Sequence, residues 1–469
     1  MTHGLGPITL GAVLVLCSAC GQVQQVSVGQ TGQELDLKTC FGDGTDCPAT
    51  VRPSAAVAPD TLEPQECVAV EEPAWHVVWE RHVGGVPCPP IGQCSASVFQ
   101  LADDGSVWTA GTAAATETDW LRAGFFLGHY GPDGEVLTEK VLDSRHSQAV
   151  LPSDTPQGSL NGAFFPQTAA LAVDSRGRSV VAINWNDPAE PPWLATYDPS
   201  GRQVGDHVPL LGVAPGDRVM LGPANDRALM LSVLRAGAGT ATKMPDGTLT
   251  KAPTEGILAK LDSDLGLVWA QTKALGPAPE GPSVDSRGVS NARVLSIDWP
   301  STTSGPLGAM PPTTRVDWVQ YDTHGNPMAI RPLDSGHLSA WDRDGNLLLS
   351  KIDDGSTSDD PDFTIGKFSA SGEPLWTRHL AAEVMPDQAK VPPVTDAAGT
   401  TYVAGHVLGP DDVLTALVYH VDAAGQQCAF ARVEGLSQSI QSLVFSASGE
   451  VYFAASLGTP GASIGRIAR

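Results

Sequence analysis

PPVTDAAGTTYVAG (Pro392–Gly405) and LVYHVDAAGQQCAFARV (Leu417–Val433) decide the fold class. Each is an apolar run, a D-x-x-G tetrad and a second apolar run. An Asp at the head of a tight turn can accept hydrogen bonds from the amides that follow it, and Gly accepts the positive φ that a short hairpin demands. Apolar residues alternate at period two on either side, as half-buried strands require. Each stretch is therefore predicted to be a β-hairpin.

The same two patterns alternate through most of the chain. The first recurs in VFQLADDGSVWTAG (Val98–Gly111), ALAVDSRGRSVVAI (Ala170–Ile183), LSAWDRDGNLLLSK (Leu338–Lys351) and SLVFSASGEVYFAA (Ser442–Ala455), with degenerate copies at Val219–Val233 and Ser283–Ile297. The second recurs around Gly134, Gly201, Gly266, Gly325 and Gly372, besides Gly425. One pair makes four strands in roughly 50–70 residues, the size of a propeller blade. The final residues Ser463–Arg469 open a second pattern and have no turn, while Val78-Trp79-Glu80-Arg81-His82-Val83 matches the closing strand Leu375-Trp376-Thr377-Arg378-His379-Leu380. The expected fold is all-β: a seven-bladed β-propeller over residues 75–469 whose N-terminal strand closes the C-terminal blade.

Composition agrees with that class. The 469 residues include 50 Gly and 38 Pro, too many for a helix-rich chain, while 42% hydrophobic residues exclude global disorder. A formal charge of −24 excludes the basic footprint of a nucleic-acid binder and favours cationic partners.

Thr401-Tyr402-Val403-Ala404-Gly405 and Asp422-Ala423-Ala424-Gly425 resemble the bacterial seven-bladed β-propeller repeat proteins, many of them secreted or lipid-anchored. The second pattern is also similar to the D-x-x-x-G-x-x-x-W unit of quinoprotein-like propellers, a group that includes a lipoprotein of outer-membrane barrel assembly. Trp79, Trp376 and, one place out of register, Trp269 hold that tryptophan, too few to support a quinone-cofactor enzyme.

The apolar stretch Ile8–Leu16 is too short to span a bilayer but suits a secretory signal. It runs into Cys17-Ser18-Ala19-Cys20-Gly21, which resembles a lipobox. The resemblance implies a signal peptide over residues 1–19, lipid on Cys20 and residence in the cell envelope, with the outer membrane of a Gram-negative bacterium the expected site. Residues 20–74, rich in Gln, Gly, Pro and acidic residues, are expected to be a disordered tether. Outside the reducing cytosol Cys40, Cys47, Cys67, Cys88, Cys94 and Cys428 are disulfide candidates. Cys40–Cys47 and Cys88–Cys94 would close small loops and leave Cys67 for Cys428; no CxxC pair argues for zinc.

The D-x-x-G turns are expected on one face of the ring and the long connections on the other. Binding residues collect on such loops, and the candidates are Trp120, His146, Asn161, Phe164, Phe165, Trp185 and Trp193. Gly461-Ala462-Ser463-Ile464-Gly465 fits G-x-S-x-G but has no downstream His, so no catalytic residue is assigned. No cofactor and no metal site are assigned; calcium is the one ion considered, at Asp342-Arg343-Asp344-Gly345-Asn346 or in the run Asp353–Asp362. The expected function is non-catalytic: a monomeric, lipid-anchored propeller that binds or scaffolds an envelope protein or a surface glycan. Its rivals are an envelope lyase or hydrolase acting on polysaccharide or peptide, and an outer-membrane assembly scaffold.

Overall fold

The computed structural model describes residues 35–36, 64–83, 87–88, 92–114, 122–146, 166–174, 176–185, 191–214, 217–222, 228–234, 241–243, 249–251, 255–274, 283–285, 287–298, 313–333, 338–353, 362–381, 391–408, 414–456 and 462–469. Among them there is no helix. The D-x-x-G tetrads form the turns. Asp174, Asp285, Asp322, Asp342 and Asp396 each accept, on one carboxylate oxygen, the amides two and four residues ahead at 2.8–3.0 Å. Where Ser replaces Asp, at Ser369 and Ser446, the hydroxyl accepts the amide four residues on. The capped carboxylate resists protonation: burial pushes the Asp322 carboxyl up, yet Asn326 and the turn amides outweigh it and hold it below its ordinary value.

These hairpins join into sheets of antiparallel strands. Strands Pro166–Val173, Ser179–Trp185, Trp193–Tyr197 and Gln203–Leu211 make one sheet. Four-stranded arrangements of the same kind follow over residues 218–274, 283–333 and 338–381. A sheet over residues 87–146 has a short fifth strand, Pro87–Cys88, on its inner edge. The last sheet combines strands over 394–434 with strands over 440–468, and Trp75–Val83 lies between the two groups. Trp75–Val83 runs antiparallel to Ala462–Ala468, with Glu80 opposite Gly465 and Arg81 opposite Ile464, so the two ends of the fold share one ladder.

Apolar layers between sheets hold the fold together. Trp108, Phe125 and Leu127 of the 87–146 sheet meet Val181, Ile183 and Tyr197 of the next. Further layers join 166–211 to 218–274, then 283–333, then 338–381, and on to the strands of 394–434 and 440–468. The last layer packs Val83, Tyr452 and Ile464 against Phe99, Phe126 and Tyr130 of the 87–146 sheet, so the order of contacts returns to its start. The result is a propeller-like all-β fold.

Two expectations are corrected. The tether read over residues 20–74 contains ordered pairings. Leu35–Asp36 pairs parallel to Leu210–Leu211, Gln65–Val68 to Arg378–Ala381, and Val70–Glu71 to Ala429–Phe430. A Pro- and Glu-rich segment without a core of its own becomes a strand when an unpaired outer edge supplies its hydrogen bonds. The second correction concerns Gly266. In ILAKLDSDLGLVWAQT (Ile257–Thr272) the positive φ falls on Leu265 (64°), whose amide bonds to Asp262 O, and Gly266 is the residue after it. Counted from Leu265, Trp269 returns to the register of Trp376 relative to Gly372.

Candidate functional site

The outer strand of one sheet latches onto the outer turn of the next. Trp79 packs on Gly134, where a β-carbon would stand 2.7 Å from the indole, and its Nε1 donates to Pro132 O at 2.8 Å. Two residues on, Arg81 Nε donates to Gly134 O at 2.7 Å. Trp376 and Arg378 repeat this on Ala423 and Gly425. Trp269 packs on Gly325 with its Nε1 unpaired among the described residues, and Gln271 donates to Gly325 O, while Thr138 and Lys140 donate to Ser200 O and Gly201 O. Arg331 alone serves at Gly372, donating to Ser371 O at 2.6 Å.

At the turn over residues 262–266 the contact comes instead from Arg178, which donates to Ser263 O at 3.1 Å, and at one junction the turn itself is missing. Between the strands of 394–434 and those of 440–468 the outer ladder is split between chain-distant strands, Ala462–Ala468 and Trp75–Val83, so no turn joins them. On the facing side, Ala429 pairs with His420 where Trp376 pairs with Lys367, and Ala431 pairs with Val418 where Arg378 pairs with Ile365. With the turn and both latch side chains missing, a cleft of about 1060 Å³ remains. The segment 64–76 straps across this junction. Cys67 is disulfide-bonded to Cys428, Glu72 meets His420 at 3.1 Å, Glu71 meets Arg432 at 2.8 Å and His76 meets Glu434 at 3.2 Å.

The cleft has an aromatic floor and a charged rim. Tyr402 lies 4.4 Å from Phe445 and 6.2 Å from Trp75, ring centre to ring centre. Its hydroxyl donates to Asp396 at 3.0 Å and accepts from Arg469 at 3.3 Å. Burial, reinforced by Asp396, pushes the Tyr402 phenol up to about 12, so it stays a donor at neutral pH. The Arg469 guanidinium stands 5.3 Å over the Trp75 ring, a cation–π geometry. Trp75 is 1% exposed, and its Nε1 has no hydrogen-bond partner among the described residues. Val68 and Val70, on the strap, present apolar side chains at the mouth, 68% and 65% exposed. Glu72, Asp396, Asp422 and Glu450 outnumber Arg466 and Arg469, which gives the rim a negative balance.

The residues read from the sequence as a binding face do not gather here. Trp120, Asn161, Phe164 and Phe165 lie outside the described residues, and His146 ends a strand whose last side chains are not described. Trp185 is a core residue: it is buried, packs edge-on to Phe125 and donates to Asp143 at 2.6 Å. Trp193 is half-buried beside His207. Cys20, Cys40 and Cys47 lie outside the described residues, and Cys88 and Cys94 sit in strands with undescribed side chains. Ser463 of the G-x-S-x-G match is buried as the second residue of the strand Ala462–Ala468 and bonded to Gln438, not raised on a strand-to-helix turn.

The Asp342 carboxylate is filled by turn amides, Asn346 and the Lys367 ammonium at 3.1 Å, an arrangement unsuited to a cation. Of the acidic run 353–362, residues 354–361 lie outside the described residues. Among the described residues no three His, Cys, Asp or Glu side chains gather as a metal site, and no helix is long and apolar enough to cross a membrane. Sequence reading missed the cleft because its cause is a turn that is not there. Ala429 and Ala431, at the places that Trp376 and Arg378 hold in the preceding copy, were the available signal.

No family model matches the chain, and neither does any curated protein. Among solved structures it is similar to a protein of unknown function from Dyadobacter fermentans (10% identity, 65% of this chain and 94% of that one, TM-score 0.35). A europium-containing methanol dehydrogenase is similar at 9% identity over 86% and 95% of the two chains, with TM-score 0.40. A protein of unknown function from Bacteroides caccae is similar at 10% identity over 66% and 95%, with TM-score 0.29. At these values the likenesses say nothing of what this chain does.

Proposed function

We propose that this chain is a lipid-anchored propeller of seven blades in the cell envelope, acting as a non-catalytic binding or scaffold protein for a protein or glycan partner. The blade count is supported by the apolar layers, which pass from sheet to sheet and return to the first. It is also supported by the N-terminal strand, which supplies the fourth strand of the 440–468 group. Cys20 is the proposed lipid site, and the outer membrane the proposed location.

The observation that carries the export reading is the Cys67–Cys428 disulfide. Such bonds persist in oxidising compartments and are rare in the cytosol. This one also fixes the end of the N-terminal segment to the propeller, so a lipid upstream would hold the whole ring at a membrane surface. The acidity favours a cationic partner surface over anionic headgroups.

The test has two arms. Mass spectrometry of the N-terminal peptide from the membrane fraction should find diacylglyceryl on Cys20, and Cys20→Ser should release the protein into the soluble fraction. An unmodified cysteine and unchanged fractionation would refute the anchor. Cross-linking in intact cells should recover one stoichiometric partner; turnover of envelope glycan or peptide by the purified chain would refute the non-catalytic reading.

A further inference from the structure

We propose that the cleft beneath the strap is a docking socket for a turn of a partner protein that carries an arginine. The inference rests on the binding reading above and adds the class of partner and the place where it sits.

The shape of the cleft fits a turn. At the junctions with a latch, a turn from the next sheet lies against the preceding outer strand. Trp79 and Trp376 there donate their indole N–H groups to turn carbonyls, those of Pro132 and Ala423. At the strap junction the two strands that such a turn would connect end side by side without one, and Ala429 leaves room where a tryptophan stands elsewhere. Trp75, in the wall of the cleft, is a buried indole donor without an acceptor. An unpaired buried donor is costly; the Trp79 and Trp376 indoles are satisfied by turn carbonyls, whereas the Trp269 Nε1, packed on the Gly325 turn, is unpaired among the described residues.

The charge of the cleft fits a guanidinium. The cleft already holds one guanidinium, that of Arg469, against the Trp75 face and the Tyr402 hydroxyl. Arginine is the cation best suited to stack on an aromatic face while donating in its own plane. Asp396, which shares the Tyr402 hydroxyl with Arg469, lines the cleft together with Asp422 and Glu450, the last paired with Arg466. Arg469 is thus an internal occupant that an incoming arginine displaces or joins.

The probe is a disulfide-cyclised hairpin peptide with one Arg at its turn, titrated by calorimetry against the full chain in detergent. The control peptide carries citrulline, which keeps the shape and removes the charge. The Arg peptide should bind saturably, and the citrulline peptide roughly tenfold more weakly. Arg469→Ala should tighten Arg-peptide binding about threefold or more by removing the internal competitor. Asp396→Asn with Asp422→Asn keeps oxygen acceptors for both turns and should weaken binding about tenfold while leaving the melting temperature close to that of the parent. No saturable binding by either the parent or Arg469→Ala would overturn the proposal, as would equal binding of the two peptides. A partner recovered by cross-linking alongside a hairpin that does not bind would remove the socket and leave the binding reading standing.

Discussion

Gly425 has no room for a β-carbon. Its φ is +71°, and an added methyl would collide with the Trp376 ring of the preceding sheet. Gly449 has a similar φ, +85°, with nothing within 4 Å of the same position. The pair separates conformational strain from lost docking. Gly449→Ala should cost about 1 kcal/mol, and Gly425→Ala about 1–3 kcal/mol more for the displaced indole. Urea unfolding of the two variants measures the difference, and equal losses would mean that the latch carries no energy. The turn glycines were legible in the sequence because D-x-x-G is a local signal. Leu265 was not, because nothing in the residue type announces a left-handed leucine, and its neighbour Gly266 drew the assignment instead.

His129 gives a pH prediction at the same scale. It stacks on Trp108 at 3.8 Å, and its ring nitrogens meet Pro199 O at 2.8 Å and Ser106 Oγ at 2.9 Å. The carbonyl can only accept, so Nδ1 carries the proton and the neutral Nε2 accepts from Ser106. Burial holds the His129 pKa below its ordinary 6.5, against the opposing pull of Pro199 O and Asp104. The unfolded chain therefore takes up the proton first. Stability from this site is complete above about pH 6.5 and falls as pH drops toward the lower folded value. His129→Phe should lower stability by about 1–2 kcal/mol at pH 8 through the lost hydrogen bonds. It should also flatten the decline between pH 6.5 and 5, read from denaturant midpoints at each pH.

At the scale of elements, the strap is a chain segment promoted to structure by what it lies on. Gln65–Val68 and Val70–Glu71 are short, and Val68 and Val70 are exposed. Their stability comes from parallel pairing to two outer strands, the ion pairs of Glu71 and Glu72, and the disulfide. Reduction, or Cys67→Ser with Cys428→Ser, should lower global stability by roughly 2–5 kcal/mol. It should also expose residues 64–74 to protease before the rest of the fold yields. A strap equally protected without the disulfide would show that pairing alone holds it. Composition could not reveal this element: Glu, Pro and Gln are what a tether and an edge strand under external support have in common, and the partner strands lie more than three hundred residues away.

For the whole molecule, the strand Trp75–Val83 decides whether the ladder over 440–468 has a free edge. A chain beginning at residue 84 would leave Ala462–Ala468 unpaired on that side and remove Trp79 from its seat on Gly134. Such an edge invites pairing with a second molecule. The truncated chain should run as dimers and larger species on gel filtration, where the full chain is expected to run as a monomer; a monomeric truncated chain would show that closure is dispensable. The repeat and its closure were readable because each hairpin carries its own signature and the unmatched first and last strands complement each other. The socket was not readable, because it is a property of the junction between two sheets.

That closure also sets an order of events in time. The first strand of the propeller pairs with the last, and the cysteines of the disulfide stand 361 residues apart in the chain. Hairpins can form as each emerges, but residues 64–83 have no place to settle until residues 414–468 have followed them. The entropy of closing so long a loop grows only with the logarithm of its length; the search takes time, and contacts this remote make for slow folders. During that wait both ends of the ladder are exposed edges, open to the wrong partner. On the proposed export route, N-terminus first, the chain would arrive holding a strand it cannot yet use, and its vulnerable interval would end when the last strand arrives.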